Sequence, residues 1–122
     1  LEMAKLPANK VDYINAHGTS TIKGDAIELN AISRLFQHEI FVSSTKSSIG
    51  HLLGAAGAIE AIFTTLAIRD QVAPPTINLD KPAVSTRVDL AANEKVSREI
   101  NFAISNSFGF GGTNASLLLA KV

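Results

Sequence analysis

His17, Lys46 and His51 are the side chains of this sequence best suited to moving a proton or answering a developing negative charge. Each belongs to a loop that follows a strand-like run. Val11-Asp12-Tyr13-Ile14-Asn15-Ala16 alternates apolar and polar residues as a strand does, then meets the turn-rich His17-Gly18-Thr19-Ser20-Thr21. Ile40 to Ser43 reads as a short buried strand, feeding a polar loop from Ser44 to Gly50 that carries Lys46 and leads to His51. Ile100 to Ser105 reads as a third strand, and Asn106 to Thr113 as a loop with glycines at 109, 111 and 112. In open α/β sheets ligands bind outside the carboxyl ends of the strands, so the loops are expected along one rim. Two imidazoles, an ammonium and backbone N–H groups there suit the stabilisation of an oxyanion or enolate.

The elements between these loops must hold them. Asp25 is placed to cap a helix running to about Gln37, with Glu28 three residues on as in a capping box. Ile27, Ala31 and Leu35, with Leu29, Ile32 and Phe36, give that helix a broad apolar face. A second helix is expected from about His51 to Arg69, broken by Pro74-Pro75. Ile77 to Glu99 reads as irregular, with a brief strand at Val88-Asp89-Leu90, and Ala115 to Ala120 as a closing apolar strand. Strands alternating with helices, then two strands in succession, predict an α/β fold: a mixed sheet with packed helices in one domain.

Leu52 to Ile68 carries one charge, Glu60, and is shorter than the roughly 20 residues a membrane span needs, so it reads as a core helix. A carboxylate there is costly unless paired, hydrogen-bonded, protonated or metal-bound. Glu60 lies nine residues after His51, about two and a half turns below the rim, which suits a structural or ion-binding part. The alternative is a solvent-facing edge on this helix.

Composition excludes several functions. Eleven basic against eleven acidic side chains leave zero net charge in 122 residues, hence no basic surface for nucleic acid or an anionic membrane. No cysteine is present, which excludes a disulfide scaffold, a zinc-thiolate site and a thiol nucleophile within this chain. Taken singly, a histidine is commonly a surface or core residue, Lys46 a solvated charge, and the glycine loop a turn. A phosphate cradle is disfavoured because a strand, not a helix, follows the glycines. A zinc site from His17, His51 and an acid lacks short ligand spacing, and a serine hydrolase lacks its G-x-S-x-G elbow. A chain beginning at Leu1 reads as a piece of something longer, and its end at Lys121-Val122 as that of a free-standing enzyme.

Four motifs together resemble the β-ketoacyl-acyl-carrier-protein synthases, nearest to the type II elongating enzymes of fatty-acid synthesis. They are Asn15 to Thr21 (NAHGTST), Val42 to Lys46 (VSSTK), Gly50 to Gly57 (GHLLGAAG) and Asn106 to Asn114 (NSFGFGGTN), in family order. The resemblance covers the last third of such an enzyme. It implies the C-terminal half, incomplete, of a thiolase-like fold, with the nucleophilic cysteine in the missing N-terminal part and the chain alone inactive. His17 and His51 match the catalytic histidines that assist malonyl decarboxylation and stabilise the enolate. Lys46 matches the active-site lysine, and Glu28 its ionic partner. Phe110 matches the gating phenylalanine, whose N–H is half of an oxyanion hole, on a loop freed by Gly109, Gly111 and Gly112. Thr19 and Thr21 match threonines that bind the pantetheine arm, and Phe108, Gly109 and Gly111 complete the substrate side.

Asn15, Glu60, Ser105 and Asn106 match positions where some members hold a structural monovalent cation; no other cofactor is implied. The implied partners are acyl carrier protein, the N-terminal part of the enzyme and a second copy in a homodimer, in the cytoplasm or an organelle. The histidine pair separates the chain from initiating and chalcone synthases, which pair His with Asn, and from thiolases, which use a second cysteine. Ile22-Lys23 and Ser48-Ile49 depart from the family pattern beside the loops without replacing a matched residue. The alternatives are a ketosynthase domain of a polyketide synthase, or a non-catalytic carrier-protein or acyl-binding module.

Overall fold

The computed structural model describes residues 1–82 and 86–122. In chain order its main elements are β1 (Tyr13–Asn15), α1 (Ile22–Leu35), β2 (Phe41–Ser43), the single turn α2 (Lys46–Ile49), α3 (Ala56–Asp70), β3 (Val72–Ala73), β4 (Val96–Ser97), β5 (Phe102–Phe108) and β6 (Asn114–Ala120). The main sheet has the order β2-β1-β5-β6, with β1 parallel to both neighbours and β6 antiparallel to β5. The mixed α/β sheet expected from the sequence is present. β3 and β4 form a separate antiparallel pair.

Because side chains alternate across a strand, the sheet buries two cores. Val11, Ile14, Val42 and Ile104 pack with Ile32 and Phe36 of α1 on one face. Tyr13, Phe41 and Ala103 pack with Ala67 and Ile68 of α3 on the other. Register then places the site. Asn15 lies opposite both Ser43 and Ser105, so the three parallel strands reach the rim at one level. The expected convergence of the loops follows from that alignment.

Several boundaries differ from expectation. α1 begins at Ile22 with Thr21 before it, so Asp25 lies within the first turn and does not cap the helix. The capping box is absent because the Glu28 carboxylate is engaged by the His17 loop instead. The polar loop after β2 contains α2, closed by a Gly50 N–H to Lys46 carbonyl bond of 2.8 Å. The apolar helix starts at Ala56 rather than His51, because Leu53 has φ 50°, which an α-helix cannot continue through. The third strand runs on to Phe108, since β6 pairs with it along its whole length. The brief strand at Val88–Leu90 is a single bridge from Asp89 to Phe41, and the β3–β4 pair places Val96 and Ser97 of the supposedly irregular stretch in a strand. Residues 83–85 of that stretch lie outside the described residues.

Among the described residues no helix is long and apolar enough to cross a membrane. α3 packs against the sheet through its buried Ala67 and Ile68, and Ile62 on the helix remains 53% exposed. Ile14, buried at the centre of β1, tests this packing. Replacing it with alanine should cost about 2–5 kcal/mol by chemical denaturation of the protein that carries this chain. A loss below about 1 kcal/mol would contradict the packing described.

Candidate active site

The His17 loop is held by a carboxylate. Glu28 is 6% exposed on α1, and its Oε1 and Oε2 accept the backbone N–H groups of His17 and Gly18, each at 2.9 Å. Such charge-assisted bonds are among the stronger ones available. Ser44 Oγ donates to the Gly18 carbonyl at 2.7 Å and binds this loop to the one after β2. Gly18 has φ 28°, and a Cβ there would come within 2.8 Å of Ser44 Cβ, so the close approach of the two loops requires glycine.

Beneath the rim, Lys46 Nζ donates to Glu60 Oε1, and the two residues are 7% and 1% exposed. The resemblance assigned Lys46 to Glu28, and the structure corrects this. Glu28 spends its oxygens on His17, Gly18 and Asn106, whereas Glu60 reaches Lys46 from α3. The solvent-facing reading of Glu60 is also excluded by its burial. The Glu60 backbone carbonyl accepts from Thr64 Oγ1 at 2.7 Å and from Asn15 Nδ2 at 3.3 Å, while Oε2 is buried with no partner among the described residues. Nearby, burial holds the Tyr13 phenol well above its ordinary value, against a hydrogen bond with Ser43 and in line with the charge on Glu60.

The two imidazoles meet at the rim. Their centroids are 5.5 Å apart with planes at 86°, and the Phe108 ring lies 5.4 Å from His17. Leu53 N–H donates to His51 Nδ1 at 3.2 Å, so the proton of the neutral His51 ring sits on Nε2. His17 titrates below the ordinary imidazole value, first because of burial, then because of the Lys46 ammonium and the His51 ring beside it. The site therefore favours neutral imidazole at His17.

Thr19 and Thr21 hydroxyls lie 3.3 Å apart at the mouth of a groove of about 420 Å³, lined also by His17, Asn106 and Phe108. Asp25 lines the same groove; burial raises its carboxyl, opposed by backbone N–H groups of Ser20, Thr19 and Thr21. Phe110 is fully exposed on a turn closed by Gly109 N–H to the Thr113 carbonyl at 2.7 Å. Gly111 and Gly112 have φ 78° and 84°, which glycine adopts freely.

Of the suggested cation set, Asn15 and Ser105 are opposite each other and share the α3 face with Glu60. The Asn106 side chain turns to the α1 face and is engaged there by Glu28 and Ser116. Among the described residues no cluster of three His, Cys, Asp or Glu forms a metal site. Sequence reasoning missed Ser44 and Leu53 as the groups that orient the two histidine loops. A serine in a polar loop and a leucine at a helix start carry no spacing signal.

The family profile described as β-ketoacyl synthase, C-terminal domain, matches residues 1–80. The 3-oxoacyl-[acyl-carrier-protein] synthase 2 of Rhizobium meliloti (strain 1021) is 61% identical over 99% of this chain and 29% of its own length. A β-ketoacyl synthase from Burkholderia phymatum superposes with a TM-score of 0.94 at 43% identity, over 100% of this chain and 30% of that one. A type II polyketide ketosynthase, solved in complex with its acyl-carrier protein, superposes with a TM-score of 0.89 at 32% identity over 100% of this chain and 31% of that one. With the rim, the register and these likenesses in agreement, the chain belongs to the β-ketoacyl synthase C-terminal domain family and has the thiolase-like architecture of the ketosynthases. It spans about 30% of the relatives it matches.

The buried pair and the His17 ring give linked predictions. Lys46→Met should cost about 3–5 kcal/mol of stability, because it strands a buried carboxylate. Joining it to Glu60→Leu should recover most of that loss in a double-mutant cycle by denaturation; strictly additive losses would contradict the pairing. By NMR titration, Lys46→Met should also raise the His17 midpoint toward the free-imidazole value, since a positive neighbour is removed. Because the folded value lies below the unfolded one, His17 takes nothing from stability above the imidazole range and lowers it as pH falls through that range.

Proposed function

We propose that this chain carries the decarboxylating side of a 3-oxoacyl-[acyl-carrier-protein] synthase of fatty-acid elongation, acting with a nucleophilic cysteine outside these 122 residues. The observation that carries the reading is the imidazole pair at the rim, with His51 presenting Nε2–H and His17 held toward its neutral form. The substrate is a malonyl thioester on the phosphopantetheine arm of acyl carrier protein, with the arm at Thr19 and Thr21. The bond between the malonyl methylene carbon and its carboxylate breaks and carbon dioxide leaves. The electron pair moves into the thioester, where the enolate oxygen accepts hydrogen bonds from His17 and His51. Neutral donors serve this step well, because they stabilise the developing charge without themselves titrating. The enolate carbon then attacks the acyl carbonyl carbon on the cysteine sulfur. The sulfur departs as thiolate, and a 3-oxoacyl thioester remains on the carrier.

The Phe110 N–H supplies one donor to the acyl oxyanion, and its glycine-rich turn allows the ring to move as substrates enter. Lys46 acts from below by neutralising Glu60 and biasing His17. A structural monovalent cation fits the second Glu60 oxygen, buried with no partner among the described residues, with Asn15 and Ser105 on the same face. One carboxylate among neutral oxygens suits such an ion, whose contribution when bound is electrostatic. This chain by itself carries out no condensation, having no thiol nucleophile. Identity of 61% to a 3-oxoacyl-[acyl-carrier-protein] synthase 2, against 32% to a polyketide ketosynthase, supports the elongating reading.

His51→Ala in the protein that carries this chain should reduce malonyl-thioester decarboxylation by about 10²–10⁴-fold. The assay reads carbon dioxide release, and an unchanged rate would overturn the assignment.

A further inference from the structure

Asn106 and Ser116 stand directly opposite each other on β5 and β6. Ser116 Oγ donates to Asn106 Oδ1 at 2.8 Å, and Asn106 Nδ2 donates to Glu28 Oε1 at 3.1 Å. The same carboxylate accepts the His17 and Gly18 backbone N–H groups. A line of hydrogen bonds therefore runs from β6, across β5, to α1 and on to the backbone of the histidine loop. No residue in it is a catalytic group, yet it ends on the peptide that sets the His17 ring.

An asparagine amide has an oxygen end and an NH₂ end of nearly the same shape, so its partners decide which way it points. Only one orientation serves Glu28. With the oxygen end toward the carboxylate, two acceptors would face each other in a buried place, which is costly. Ser116 supplies a donor to the oxygen end and so holds the NH₂ end toward Glu28. It is the only hydroxyl residue in β6, whose other residues are Asn114, two alanines and three leucines.

We propose that Ser116, acting through Asn106, is a positioning residue for His17: it fixes the amide that completes the Glu28 clamp. The kinetic consequence rests on the function proposed above, whereas the structural consequence does not. Without the hydroxyl the Asn106 oxygen loses its protein donor, the amide is held from the Glu28 end alone, and the bond that completes the clamp on the His17–Gly18 peptide loosens. The effect is therefore on turnover rather than on carrier binding.

The test compares Ser116→Ala with Ser116→Thr in the protein that carries this chain. Ser116→Ala is expected to lower kcat for malonyl-thioester decarboxylation about three- to tenfold with KM little changed. Ser116→Thr, which keeps the hydroxyl, is expected to restore kcat. In ¹H–¹⁵N spectra the His17 and Gly18 amide protons should move upfield in the alanine variant and return in the threonine variant. Unmoved amides in Ser116→Ala would overturn the relay whatever the activity. Moved amides with unchanged kcat would overturn the positioning role. Moved amides in a protein whose unsubstituted form decarboxylates nothing would support the relay and refute the functional reading instead.

Discussion

A carboxylate taken out of water must be met by donors or by a cation, and two such carboxylates, one on each face of the sheet, organise this site. Glu28 lies on the α1 face and is met by the backbone of the loop it must hold. Glu60 lies on the α3 face and is met by Lys46. Each acid is buried, so neither can exchange its partners for bulk water without opening the packing around it. Structural requirement and site geometry are thereby the same set of bonds. The loops cannot relax away from the rim while these bonds to the acids hold.

The Lys46 ammonium links the two faces electrostatically. It neutralises Glu60, and its remaining field works with burial to keep His17 uncharged. His51 is positioned by a different means. Its ring is oriented by the Leu53 N–H, at a residue whose φ of 50° is unfavourable for a branched aliphatic side chain. That turn also delays the start of α3 to Ala56, which leaves His51 on an exposed corner rather than inside a helix. One histidine is set by a carboxylate and the other by a strained turn, and the two rings meet edge to face.

The fold class and the rim were legible because they rest on period-two alternation in Val11 to Ala16 and on loops that follow strands. His17, Lys46 and His51 could be singled out for the same reason, and Glu60 because a lone acid in an apolar helix demands an explanation. The partner of Lys46 was not legible. Glu28 and Glu60 both lie on helices, and only the three-dimensional packing shows which acid faces the α3 side. Helix starts were misplaced where the local signal pointed elsewhere. Asp25 and Glu28 have the spacing of a capping box, but the unpaired N–H groups of His17 and Gly18 claim the glutamate. The role of Asn106 depended on which face of β5 it occupies, and that was fixed only by pairing with β6.

The proposed reaction requires His17 and His51 to donate together to one substrate oxygen. The most direct measurement is a crystal structure of the protein that carries this chain, bound to a malonyl amide that mimics the thioester and cannot decarboxylate rapidly. The amide carbonyl oxygen is expected about 3 Å from Nε2 of both rings, with Leu53 N–H still on His51 Nδ1. A carbonyl oxygen bound away from the pair, or a His51 ring turned to offer Nδ1 instead, would contradict it.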